Sequence, residues 1–214
     1  MRAREGWAVG APRMSPLLPD RLMADLRHRY GEPQRHYHTW AHVEVLLRLF
    51  AEVRGRLEDP AAVEAALYYH DAVYDPQATD NEARSAALLR QACAGVLPPE
   101  SLEAAAGMVE ATAGHRLPED LAGEGLTGGR LEDARLFLDM DLSILAAERA
   151  AFEAYEAAIR REYAHVDAAA FRAGRRRVLE GFLARERLYF SDHFAPRFEA
   201  PARANLARSL ASLA

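Results

Sequence analysis

Apolar residues in this chain recur every three or four positions and nowhere alternate with polar ones over the length of a strand. That spacing gathers them on one stripe of a helix rather than on one face of a sheet. Residues 16–30 carry Leu17, Leu18, Leu22, Met23 and Leu26, then stop at Gly31 with Pro33 beyond. Thr39 stands where a cap belongs, ahead of Val43, Leu46, Leu47 and Phe50. Asp59-Pro60 opens the next helix with proline at its first position. Asp80 stands as the cap of a helix through Leu88 and Leu89, and Pro98-Pro99 start another. Helices resume over 131–145, 148–163 and 167–187, and a last one begins near Pro201. Between them Gly114, Pro118, Gly123, Gly125, Gly128 and Gly129 break the pattern, which predicts a mobile loop over 114–130, suited to a lid. The expectation is an all-α, single-domain helical bundle over 15–214, preceded by a flexible leader over 1–14.

With 214 residues, half of them hydrophobic, such a bundle can bury a core without cross-links. The lone Cys93 cannot form an internal disulfide and fits a reducing, cytoplasmic setting. A net charge of −5 with no long basic block gives no electrostatic support for nucleic-acid or membrane binding. Lysine is absent, so every cationic side chain other than histidine is arginine. A Schiff-base lysine and the lysine-bearing phosphate loop are thereby excluded. Any phosphate gripped by a side-chain cation must be gripped by arginine or histidine.

Chemistry concentrates in two segments, His36-Tyr37-His38-Thr39-Trp40-Ala41-His42 and Leu67-Tyr68-Tyr69-His70-Asp71. Imidazole nitrogens and carboxylate oxygens are the atoms that hold a catalytic divalent metal. His38 and His42, four residues apart, share a helical face, although a cap at Thr39 leaves His38 just outside the helix. His70 and Asp71 diverge by about 100° if both are helical, yet they can flank one ion at a helix edge. The alternative is a core histidine bonded to a backbone carbonyl, with Asp71 solvated. Asp139 and Asp141 interrupt the apolar run from Leu136 to Leu145, where an unpartnered acid is costly. One can reach an ion while the other orients a ligand histidine, or they can pair with arginines.

In their order, His42, His70-Asp71 and Asp141 resemble the H…HD…D signature of the HD-domain metal-dependent phosphohydrolases. More narrowly, RHYHTWAHVEVLL, ALYYHDAVYD, DNEARSA and LDMDLSILA together resemble a bacterial subfamily of predicted HD phosphohydrolases, over roughly residues 20–190. The resemblance implies that His42, His70, Asp71 and Asp141 ligate one divalent ion, with Mn, Mg, Fe, Co, Ni and Zn all occurring among relatives. It further implies hydrolysis of a small phosphorylated substrate, a nucleotide foremost, by a chain that can work as a homodimer. Asp71 and Asp75 are the catalytic candidates. Asp75 matches the acid that handles water in relatives with an HDxxED motif, but Tyr74 replaces the acid before it, and a turn residue ahead of Pro76 is the alternative. Relatives with two metals use further histidines, and His115 alone occupies that interval. Arg35, His38, His115 and Glu82 are the substrate-side candidates. The competing functions are a non-catalytic metal or nucleotide sensor and, last, a helical di-iron oxygenase.

Overall fold

Asp59 opens a helix through a bond its spacing predicts: its carboxylate accepts the N–H of Ala62, with Pro60 in the first turn. The computed structural model describes residues 17–117 and 129–213. The expected leader over 1–14 lies outside the described residues, as does most of the expected loop, over 118–128. Nine α-helices follow one another among the described residues, with no strand: α1 Asp20–Arg29, α2 Trp40–Val53, α3 Pro60–Tyr69, α4 Asn81–Ala92, α5 Pro99–Ala111, α6 Gly129–Asp141, α7 Arg149–Glu162, α8 Ala168–Leu183 and α9 Ala195–Ser212. Short 3-10 turns extend α2 over Arg54–Arg56 and α6 over Leu142–Ala146.

α3 is the axis of the assembly. Its residues from Ala62 to Tyr69 are all buried, and it packs against α2, α4, α5 and α6. Three of those residues are alanines, which let neighbouring helices approach closely on every side. A second apolar cluster, built from Leu142, Leu145, Phe152, Leu179, Leu188, Tyr189 and Leu206, joins the 3-10 turn after α6 to α7, α8 and α9. Phe198 packs against both clusters. α2, α3 and α6 pack against one another, and the start of α2 meets the C-terminal ends of α3 and α6 through His42, His70 and Asp141.

Two expectations about helix ends need correction. α9 starts at Ala195, not near Pro201, because Pro196 takes the first turn while Pro201 lies inside the helix. An internal proline costs about 3 kcal/mol, and burial of Phe194, Ala202 and Leu206 offsets it. α8 ends at Leu183 rather than 187, where Arg203 of α9 donates to the carbonyls of Leu183, Arg185 and Glu186. Thr39 and Asp80 occupy cap positions, yet neither side chain makes a capping bond.

Candidate metal centre

His70 caps the C-terminal end of α3. Its ring Nδ1 lies 3.0 Å from the carbonyl oxygen of Leu67, one turn back. Nδ1 therefore carries a proton to donate, and Nε2 is turned the other way. His42, in the first turn of α2, has its Nδ1 3.2 Å from the Tyr37 hydroxyl, a group that donates or accepts according to the tautomer. The two Nε2 atoms come within 3.2 Å of each other. Asp141 closes α6 and sets Oδ1 at 3.1 Å from His42 Nε2 and 3.5 Å from His70 Nε2. Asp71 Oδ2 lies 2.9 Å from His70 Nε2. His42, His70 and Asp71 thus form a group whose ligand atoms all lie within 4.8 Å of one another, and that group can hold a metal ion.

The donor set itself calls for positive charge. His70 donates through Nδ1 to Leu67, so its Nε2 turns toward His42 Nε2 and the carboxylates of Asp71 and Asp141, a cluster that a cation or a shared proton holds together. The acids are ionised: burial would raise both, but His70 outweighs it and holds Asp71 and Asp141 below the usual carboxylate range. Burial would also lower His70, yet Asp71 and Asp141 prevail and lift it to about 9. His42 is lowered, burial being the main cause. A divalent ion suits the mixed nitrogen and oxygen set that His42, His70 and Asp71 offer.

The remaining candidates separate. His115 joins the cluster, its Nε2 lying 2.8 Å from Asp141 Oδ2. Asp139 does not orient a histidine. It accepts the N–H groups of Phe190 and Ser191 and the Ser191 hydroxyl, and burial still pushes it up to about 6. Arg35 is not free to grip phosphate: its side chain is fully buried and donates to Glu32 and to the carbonyls of His38, Asp71 and Ala72. Asp75 is exposed, and its carboxylate accepts the Gln77 N–H while Asn81 brackets its backbone, so the turn reading holds there. Glu82 lies half-buried on α4 near Tyr163 and makes no hydrogen bond to the cluster. His38 stands outside α2, with Nδ1 2.8 Å from Glu162 Oε2, its ring tilted against Tyr74 and edge-on to the His42 ring at 6.5 Å.

Glu162 is the residue that sequence reasoning missed. Its buried carboxylate accepts the successive N–H groups of His36, Tyr37 and His38 on Oε1, and His38 Nδ1 with the Tyr74 hydroxyl on Oε2. It thereby fixes the segment that presents Tyr37 to His42. A signal existed: Phe152, Tyr155, Ile159 and Glu162 fall on one helical stripe, which puts an acid in line with core residues. Tyr30 was missed too; its hydroxyl donates to Tyr68 O and accepts the Asp71 N–H, setting the exit of α3. Glu162 also lines an open cleft of about 460 Å3 with His36, Asp75, Arg161 and His165, and none of the four clustered candidates lines it.

Comparisons with protein-family models, with curated proteins and with solved structures find no match to this chain. Among the described residues no helix is long and apolar enough to cross a membrane.

Proposed function

We propose that this chain is a metal-dependent phosphohydrolase of the HD type, a phosphatase or phosphodiesterase acting on a nucleotide or another small phosphorylated metabolite. The observation that carries the reading is the meeting of His42, His70 and Asp71 within 4.8 Å of one another, with Asp141 Oδ1 3.1 Å from His42 Nε2 and 3.5 Å from His70 Nε2. Those four residues would hold one divalent ion. Such an ion supplies Lewis acidity toward a water and a phosphoryl oxygen. The protein's own groups do the rest. The Leu67 carbonyl keeps His70 in the ligand tautomer, and the Tyr37 hydroxyl orients the His42 ring. Asp71, the most open of the four at 18% side-chain exposure, faces incoming water and can take its proton. His38, held by Glu162 and only 20% exposed, is the near cation for a phosphate, since lysine is absent and Arg35 is committed elsewhere. Asp75 has no part in this proposal.

The test starts from purified protein stripped of metal and reloaded with Mn, Co, Ni, Mg or Zn, assayed against nucleotides and p-nitrophenyl phosphates. Hydrolysis that a chelator stops and one ion restores, and that His70→Ala or Asp71→Ala abolishes together with bound metal, is the expected result. Turnover by a metal-free His70→Ala variant would overturn the assignment. Tight metal binding with inertness across the panel would favour a sensor.

A further inference from the structure

Only one oxygen of Asp141 faces the histidines; the other is taken by His115 Nε2 at 2.8 Å. His115 is also the one non-glycine residue with positive φ, at 43°, among the described residues. A side chain in that region costs about 1 kcal/mol and persists only where its surroundings hold it. What holds it comes from just past the end of α8. Arg185 Nη1 donates to His115 O at 2.7 Å and Nη2 to Gly114 O at 2.8 Å. The guanidinium lies 4.5 Å over the Phe182 ring, which in turn neighbours the His115 ring at 6.3 Å.

Arg185 is placed at a cost. Its Nε is buried without a partner, and its pKa is lowered by burial first and by nearby Arg116 second. An arginine that gains no ion pair among the described residues, yet spends both terminal nitrogens on one strained turn, is shaped for that turn. Its own backbone is fixed by Arg203, which donates to the carbonyls of Arg185 and Glu186.

We infer that Arg185 is a positioning residue for the metal centre: it grips the turn at Gly114 and His115, keeps His115 on Asp141 Oδ2, and so leaves Oδ1 alone to meet the ion. The inference rests on the metal reading proposed above and deepens it. Partners that orient a ligand in this way are worth on the order of 10-fold to 100-fold in metal affinity.

The experiment is a Co(II) titration of the whole chain, followed by visible absorption. Arg185→Met should weaken Co(II) about 10-fold and alter the absorption band, and His115→Ala should do the same. Because the two act in series, the double variant should bind no more weakly than His115→Ala alone. Native affinity and spectrum in Arg185→Met would overturn the inference, as would losses that multiply in the double variant. Should Arg185→Met fail to fold by circular dichroism, Arg185→Lys keeps the charge and one donor. An intermediate loss is then expected, and an unchanged spectrum and affinity overturn the proposal equally. If the native chain binds no Co(II), the metal reading itself falls and this inference with it. Native binding that Arg185 does not affect sinks the inference alone.

Discussion

Replacing Glu162 by glutamine removes one charge and almost no volume from the support of the metal centre. The amide oxygen can still accept the N–H groups of His36, Tyr37 and His38, so the loss falls on the Oε2 side, where His38 Nδ1 and the Tyr74 hydroxyl bind. Burial alone would raise the Glu162 carboxyl, but the bond from His38 and the backbone N–H groups bring it from 4.5 down to about 2. A folded-state value below the unfolded one means that the carboxylate stabilises the fold above pH 4.5, and that this is lost as pH falls toward 2. The difference is worth roughly 3 kcal/mol at pH 7. About 2 kcal/mol of it has gone by pH 3. The raised pKa of His38, against which burial works first and which Asp71 and Glu162 support, is in part the same interaction seen from its partner and is not added. Urea unfolding of the native chain and Glu162→Gln, run in parallel from pH 7 to pH 3, reads the gap directly. Glu162→Gln should be less stable at pH 7, and the gap should narrow as the solution is acidified. A gap constant within about 0.5 kcal/mol across that range would refute the reasoning, because packing differences between the two side chains do not titrate.

Four further outcomes follow from the same geometry. Tyr37→Phe, which strips the hydroxyl from His42 Nδ1 without vacating the ring, should weaken metal about 10-fold by equilibrium dialysis with metal analysis. Asp75→Ala should leave that affinity at the native value while costing about 1 kcal/mol in urea, since only the Gln77 N–H loses its acceptor. Asp139→Ala should show the reverse pattern: native metal affinity, but roughly 3 kcal/mol of lost stability as the buried N–H groups at 190 and 191 are orphaned. Chelation should lower the melting temperature, and a bound ion at a hundred times its Kd should restore about 2.7 kcal/mol; a melting curve indifferent to chelator and metal would count against the site.

Most of the fold was legible because its determinants are local. Asp59-Pro60 and Pro98-Pro99 act on the chain within a turn of where they stand, and the starts of α3 and α5 fall beside them. Pro201 misled for a related reason: a proline marks a start only when no better one precedes it, and Pro196 does. Arg35 misled because sequence proximity to the histidines says nothing about direction. Its guanidinium turns to the carbonyls at Asp71 and Ala72, where the end of α3 leaves acceptors without helical partners. Glu162 reaches the loop at 36–38 from more than 120 residues away, so only its place on an apolar stripe betrayed it.

The two acid pairs show where helical geometry decides what residue type cannot. Asp139 and Asp141 both lie in α6, two residues apart, so their side chains diverge by about 200° and point to nearly opposite sides. They cannot share one ion: Asp139 turns to the segment at 190–191 while Asp141 turns to the histidines. That division of labour was derivable in advance, but which acid took which side depended on how α6 sits against α2 and the segment at 190–191. His70 and Asp71 escape the same geometry. α3 ends at Tyr69, and the backbone beyond it is caught by Tyr30 at the Asp71 N–H and by Arg35 at the Asp71 carbonyl. The two adjacent side chains meet there, His70 Nε2 lying 2.9 Å from Asp71 Oδ2. On the proposed reading, a dipeptide of histidine and aspartate is turned into a pair of candidate ligands at the helix end, where Tyr30 and the buried Arg35 hold the backbone of Asp71.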